Sequence, residues 1–281
     1  MDIFVTGASG YIGSALTRTL IARGHRVRGL ARSAAAEAVV RGHGAEPVRA
    51  ALTDVDVLAR AAADVDAVVH TAATETADRA DVDRAAVTAM LDAKPGAFIT
   101  TTGAPRARSS RTPVAEDDTA PVEGPLAWLA EAEARVLESG SRGAVVRPPM
   151  VYGDGGGPVS RLVAQAAADG VARHIGDGAN RWSTVHVRDL ALAYALLLET
   201  EATGVFHVSD GHESMADLMT AIGARAGVPV ASWSLDEALA THGWGAGFLA
   251  ADAVLDASRI TALGWTPAVG LGIPRDLLST S

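Results

Sequence analysis

Apolar and polar positions along this chain alternate between two rhythms. Short apolar runs at Ile3–Thr6, Val27–Ala31, Ala67–His70, Ala97–Thr101 and Gly143–Arg147 have strand length. A weaker run at Pro47–Ala50 and a late one at Val205–Val208 read the same way. Between them, apolar residues recur at helical spacing over Ile12–Arg23, Asp54–Ala63, Ala80–Ala93 and Leu126–Glu138. The same holds for Ser160–Asp169, Asp189–Glu199 and Ser214–Ala226, and more faintly for Leu235–Ala240 and Ala257–Leu263. Punctuation supports these spans. Gly24 closes the first helix, Thr53 or Asp54 opens the second, and Pro95 follows the third. Residues 103–124, rich in Pro, Arg, Ser and acidic residues, read as a long loop, and Gly153–Gly157 as a break. Strands alternating with helices predict an α/β fold with a doubly wound parallel sheet, whose ligands sit at the carboxyl ends of the strands.

Composition narrows the classes. A chain of 281 residues with 48% hydrophobic content builds one large α/β domain or a nucleotide domain with a smaller lobe. A net charge of −9 argues against a nucleic-acid partner. The absence of cysteine excludes disulfides and thiol chemistry, and fits a cytoplasmic setting. No leader peptide and no membrane span are expected, because no apolar run is long enough and Asp2 precedes the first strand. Alanine and arginine abound while lysine is nearly absent, which points to a high-GC bacterial source. No His, Asp or Glu spacing resembles a metal site.

The densest chemistry lies in the first turn. After Thr6, glycines fall at Gly7, Gly10 and Gly13, just before the first helix. Gly7 permits the turn, Gly10 lets backbone approach a pyrophosphate, and Gly13 lets helix and strand pack closely. The helix N-terminus then offers free N–H groups to the anion. The run Thr6-Gly7-Ala8-Ser9-Gly10-Tyr11-Ile12-Gly13 resembles the fingerprint of the short-chain dehydrogenase/reductase superfamily, in its extended or atypical branch. The resemblance continues at Leu52-Thr53-Asp54, at the Thr71-Ala72-Ala73 strand end and at Arg147–Gly153. It extends to Val185–Ala191, where Asp189 reads as a helix cap, and to Leu263–Pro267. It implies a Rossmann-type doubly wound parallel sheet with a smaller C-terminal substrate lobe. The nucleotide domain would span 1–153 plus about 184–206, and the lobe about 154–183 and 207–281. A homodimer through the helices near 80–93 and 126–138 is also implied.

In dinucleotide folds the end of strand two reads the adenosine ribose. Ala31 stands where the resemblance puts an acid, followed by Arg32 and Ser33. A guanidinium holds a 2′-phosphate that a carboxylate would repel, so the expected cofactor is NADP(H). The resemblance assigns cofactor contacts to Thr6, Gly7, Ser9, Gly10, Tyr11, Ile12, Gly13, Arg32 and Ser33. It adds Leu52, Thr53, Asp54, Thr71, Ala72, Ala73, Pro148 and Val151.

The superfamily normally protonates its substrate with a tyrosine that has a lysine four residues later. Tyrosines stand here at 11, 152 and 194, followed four residues on by Ala15, Gly156 and Leu198, and the only lysine is Lys94. The pair is absent. Trp128 and Ala132 have its spacing, and Glu131 and Glu133 beside them read as solvated helix residues, although Glu133 resembles a glutamate of atypical members. Candidate replacements are Thr101 and Thr102 at the end of strand five, and Tyr152 past strand six. Trp128, Trp182 and His186 are candidate substrate contacts, with His174, His242 and Trp244 as further lobe residues. The expected activity is NADP(H)-dependent reduction of a carbonyl, quinone or conjugated alkene in a small organic substrate, in keeping with specialised metabolism. The alternatives are a non-catalytic NADP-binding redox sensor, and an isomerase, epimerase or cyclase on the same fold.

Overall fold

Ile3, Phe4 and Val5 are wholly shielded from solvent, as a strand buried on both faces requires. The computed structural model describes residues 1–104, 108–110, 112–122 and 124–279. The elements run β1 (Asp2–Thr6), α1 (Tyr11–Ala22), β2 (Arg26–Ala31), α2 (Ala34–Gly42), β3 (Glu46–Arg49), α3 (Val55–Ala63), β4 (Ala67–His70), α4 (Arg79–Asp92) and β5 (Ala97–Thr101). Next come α5 (Trp128–Leu137), β6 (Arg142–Arg147), β7 (Met150–Tyr152), α6 (Gly157–Asp169), β8 (Ala172–Ile175), β9 (Arg181–His186), α7 (Val187–Glu199) and β10 (Gly204–His207). The chain ends with β11 (Gly211–Ser214), α8 (Met215–Ala226), β12 (Val230–Trp233), α9 (Leu235–His242), α10 (Trp244–Leu249), α11 (Ser258–Ala262) and α12 (Ile273–Ser279). None of the helices is long and apolar enough, over the described residues, to cross a membrane.

Two compact units result. The first comprises 1–105, 125–147 and 190–206. Its seven-stranded sheet has the order β10-β6-β5-β4-β1-β2-β3. The ladders from β3 across to β6 are all parallel. Strand order reverses between β1 and β4, where Thr6 pairs with His70. Such a reversal opens a crevice at the carboxyl ends of the strands. Against one face pack Leu58 of α3, Met90 of α4 and Val136 of α5, which with Phe4, Val68 and Phe98 form a solvent-free cluster.

Three helices, α2, α10 and α12, were not expected. In α2, Ser33 Oγ accepts from the Ala36 N–H at 3.2 Å and caps the first turn. Glu37 and Arg41 then pair one turn apart. Helix α5 starts later than its apolar pattern, because Gly124–Leu126 form a 3₁₀ turn around Pro125.

The second unit comprises 106–124, 148–189 and 207–281. Its middle segment runs from Pro148 to Asp189. β7 pairs in parallel with β9, and β9 pairs antiparallel with β11, so residues on both sides of the glycine break share one small sheet. A second sheet joins β8 and β12. Asp189 does not cap α7. It sits inside the first turn, fully buried, and its carboxylate accepts the N–H groups of Ala268, Val269 and Gly270 at 2.7–3.1 Å. Trp265 Nε1 donates to the Asp189 carbonyl at 3.0 Å. Asp189 thus fixes both the Leu263–Pro267 signature and the backbone of the three residues after it.

Candidate functional site

The turn after β1 is built by steric necessity. Gly7 has φ +72°, and a Cβ there would lie 2.8 Å from both the Ala72 nitrogen and the Thr71 hydroxyl. A Cβ on Gly13 would lie 2.0 Å from the Gly7 carbonyl oxygen, so the first turn of α1 rests directly on the loop. Gly10, the residue preceding α1, donates to the Gly7 carbonyl at 2.8 Å and supplies no side-chain cap. No acidic residue occupies the first turn of α1. The helix end therefore keeps its positive character for an outside anion. Ser9, Gly10, Tyr11 and Ile12 remain partly or fully exposed along this rim.

Thr6 is different. It is fully buried, its Oγ1 pairs with His70 Nδ1 at 2.8 Å and accepts from the Ala72 N–H at 3.3 Å. Thr71 Oγ1 donates to the Thr6 carbonyl at 2.8 Å. Thr6 and Thr71 therefore shape the loop by bonding each other's segments. His70 Nε2 in turn meets Asp83 Oδ1 of α4 at 2.9 Å, a chain of contacts that nothing in the sequence signalled.

At the end of β2, Ala31 is buried and Arg32 exposed. Among the described residues the Arg32 guanidinium has no hydrogen-bond or ion-pair partner. Neighbouring cations are occupied: Arg28 donates to the Ala61 carbonyl, and Arg49 pairs with Glu37. Ser33 serves α2. Leu52 is buried, Thr53 is exposed, and Asp54 accepts from the Ala51 N–H at 2.7 Å instead of capping α3.

Beside the glycine loop lies a cleft of about 200 Å³, lined by Leu52, Ala72, Ala73 and Thr74, by Arg79 and Asp83 of α4, by Thr101 and Thr102, and by Leu126, Trp128 and Leu129. Two buried polar atoms in its walls, Thr74 Oγ1 and Trp128 Nε1, have no hydrogen-bond partner. Buried donors without partners cost about 1–3 kcal/mol each, and ligand sites are where such groups persist. The Arg79 guanidinium lies 5.8 Å from the centre of the Trp128 ring and donates to the Pro125 carbonyl. The glycine cradle, the unpartnered Arg32 and these orphaned donors fit a dinucleotide lying across the switch point.

The candidate acids fare less well. Thr101 Oγ1 shares a 2.5 Å hydrogen bond with Tyr194, whose phenol burial pushes far above its ordinary pKa. Thr102 Oγ1 donates to Glu133 Oε1 at 2.8 Å. Glu133 is not solvated. It is 3% exposed and receives Nε and Nη2 of Arg147, itself 3% exposed, at 2.7 and 2.5 Å. Glu131 does face solvent, against Arg135. The Glu133–Arg147 pair was not foreseen; a basic residue ending a buried strand was the only available signal.

Tyr152 falls in the second unit as a structural hub. It is fully buried, donates to Asp210 Oδ2 at 2.9 Å and accepts from the Gly272 N–H at 2.9 Å. Burial first, and Asp210 second, hold its phenol far above the range of a proton donor at neutral pH. Burial also raises Asp210, although the His186 N–H, Tyr152 and Thr184 all bond it. Replacing Tyr152 by phenylalanine is expected to cost about 1–3 kcal/mol by stranding these partners. A denaturant titration measures it, and an unchanged midpoint would contradict the hub role.

His186 and Trp182 are likewise interior, at 3% and 5% exposure. His186 packs edge-on against Tyr152 with ring centres 5.2 Å apart, and a Cβ on Gly153 would strike its ring. Neither residue presents itself to a substrate within its own unit. Pro148 and Val151 are also buried there. His174 bonds the Gly176 carbonyl and His242 packs on Trp233, while the Trp244 side chain lies outside the described residues.

Comparison with known proteins gives a consistent picture. Residues 7–175 match a family model described as NAD(P)H-binding. An uncharacterized protein of Schizosaccharomyces pombe is 33% identical over 95% of this chain and 95% of its own. A 2-alkyl-3-oxoalkanoate reductase of Stenotrophomonas maltophilia is 30% identical over 80% of this chain and 76% of its own. Among solved structures, a human epimerase family protein with NADPH superposes with a TM-score of 0.77 at 23% identity, over 99% of this chain and 98% of that one. That likeness speaks for the fold.

Proposed function

The chain belongs to the NAD(P)H-binding family as an atypical short-chain dehydrogenase/reductase, and from that premise we propose that it is a cytoplasmic NADP(H)-dependent oxidoreductase. It reduces a carbonyl, quinone or conjugated alkene of a small organic substrate. The single observation that carries the cofactor choice is the exposed, unpartnered Arg32 beside a buried Ala31 at the end of β2. A free guanidinium there binds a 2′-phosphate through charge-assisted hydrogen bonds, and no carboxylate competes for the ribose. The glycine loop and the N-terminus of α1 would hold the pyrophosphate, with Leu52 and Ala72 beside the remainder. When bound, NADPH supplies a hydride. The reductase assignment draws on the relative named for that activity and on the cleft at the carboxyl ends of β4 and β5.

The test is thermal protection and equilibrium titration with NADPH and NADH. NADPH is expected to protect far better. Arg32→Ala should weaken NADPH about tenfold to a hundredfold, the value of one charged hydrogen-bonding group, and leave NADH unchanged. Equal affinity of the wild-type protein for both nucleotides would reverse the assignment.

One observation favours a second reading, a redox sensor that binds NADP without turnover: the Thr101 and Thr102 hydroxyls are both engaged inside the fold. Substrate-dependent NADPH oxidation separates the two. Turnover without net cofactor change would mark an isomerase or epimerase instead. A homodimer through α4 and α5 is part of the same proposal, and sedimentation equilibrium tests it.

A further inference from the structure

The histidine behind the glycine loop has its two ring nitrogens engaged by different elements. His70 is 2% exposed, its Nε2 meets Asp83 Oδ1 of α4 at 2.9 Å, and its Nδ1 meets Thr6 Oγ1 at the end of β1 at 2.8 Å. A carboxylate only accepts hydrogen bonds, so Nε2 carries the ring hydrogen and Nδ1 of the neutral ring presents a lone pair. The Thr6 hydroxyl then donates to Nδ1, and its oxygen is left to accept the Ala72 N–H at 3.3 Å. This one assignment places every hydrogen in the chain. The other tautomer sets a lone pair against the carboxylate. It also strands the hydroxyl hydrogen of Thr6, a side chain closed to solvent with no other acceptor among the described residues.

We propose that His70 is a positioning residue for the bound nucleotide, acting through Thr6 on the glycine turn, with Asp83 selecting its tautomer. The inference rests on the NADP(H) reading above. Thr6 immediately precedes Gly7, and the turn lies hard against the residues that follow β4. A Cβ on Gly7 would lie 2.8 Å from the Ala72 nitrogen and 2.9 Å from the Thr71 carbonyl carbon. The bond from the Ala72 N–H to Thr6 therefore sets the gap between the turn and the end of β4. Gly13 rests on Gly7 in turn, so α1 follows wherever the turn goes. A Thr6 hydroxyl without its acceptor rotates, frees Ala72, and lets turn and helix drift from the place that receives the pyrophosphate. A cradle of backbone N–H groups depends on such support, because no side chain of its own holds it in place. The cations flanking Asp83 on α4 turn elsewhere, Arg79 to the Pro125 carbonyl and Arg84 to Asp81, which leaves Asp83 to the ring.

The experiment measures NADPH dissociation constants of the full chain with two amide substitutions at one position. In His70→Asn the amide oxygen reaches the place of Nδ1 and accepts from Thr6, while the Asp83 contact is lost. In His70→Gln the amide nitrogen reaches the place of Nε2 and donates to Asp83, while Thr6 loses its acceptor. Each removes one bond of the same ring, so a histidine that only supports the core would treat the two alike. The expected result is asymmetric: the Asn variant stays within about threefold of wild type and the Gln variant weakens NADPH about tenfold, the upper value of one neutral hydrogen bond. Thr6→Val should match the Gln variant, and Thr6→Ser should restore binding. Ring ¹⁵N–¹H correlations of the wild-type protein, assigned by the signals missing from His70→Asn, should show the Nε2–H tautomer. Equal affinities of the Asn and Gln variants overturn the inference. So does an Nδ1–H tautomer, or undiminished NADPH binding by Thr6→Val. If neither His70→Gln nor Thr6→Val folds, the tautomer decides. If the wild-type protein binds no NADPH, the cofactor reading falls and takes this inference with it, whereas the other failures leave NADPH bound, so the two are distinguishable.

Discussion

Replacing Glu133 by alanine is expected to lower the unfolding free energy by about 3–5 kcal/mol, a large part of what a domain of this kind possesses. The cause is not the lost attraction alone. Arg147 is 3% exposed and would be left as a buried guanidinium with its principal carboxylate gone. Thr102 would lose its acceptor as well. The double variant Glu133→Leu with Arg147→Met removes both charges and should recover most of the loss, because the desolvation cost of the pair disappears with it. Denaturant titrations of the single and double variants measure the difference. A single variant within about 1 kcal/mol of wild type would show that water reaches Arg147.

Gly13→Ala comes second. The added methyl would lie 2.0 Å from the Gly7 oxygen and 2.6 Å from its carbonyl carbon, and both are backbone atoms that cannot rotate away. Either α1 lifts off the loop or the Gly7 turn deforms. Overpacking of this kind costs about 1–3 kcal/mol, and the rigid neighbours place this site at the upper end. The functional loss should be greater than the loss in stability, since the same displacement spoils the anion cradle. Thermal protection by NADPH is expected to vanish while the protein stays folded at room temperature. Retained protection would mean that the loop tolerates a wider gap than its packing implies.

The parallel sheet was legible because its strands are apolar on both faces. Ala67–His70 and Ala97–Thr101 fall where their composition puts them. The glycine spacing was legible for a related reason, since only glycine satisfies the contacts at 7 and 13. Helix α2 was missed because Ser33 was read for its hydroxyl's use by a ligand and not for its capping of Ala34–Gly42, although Glu37 four residues later completed a helix-start signal. The strands β7, β9 and β11 are only three to six residues long, and strands that short carry little period to detect. Tyr152 was read for a ligand, Asp189 as a helix cap and Glu133 as a solvated helix residue. A polar side chain looks alike in sequence in each of these roles and in a buried network, and the partners at 210 and 272, at 268–270 and at Arg147 lie too far along the chain to be read locally.

The first unit draws its last strand from late in the chain. β10 begins at Gly204, after the whole of 148–189 has been spent on the other unit. A growing chain emerging from the ribosome therefore carries β6 as an open sheet edge, with unpaired backbone groups, until residue 204 has cleared the exit tunnel. Synthesis, more than equilibrium stability, sets the interval in which this protein can pair with the wrong strand.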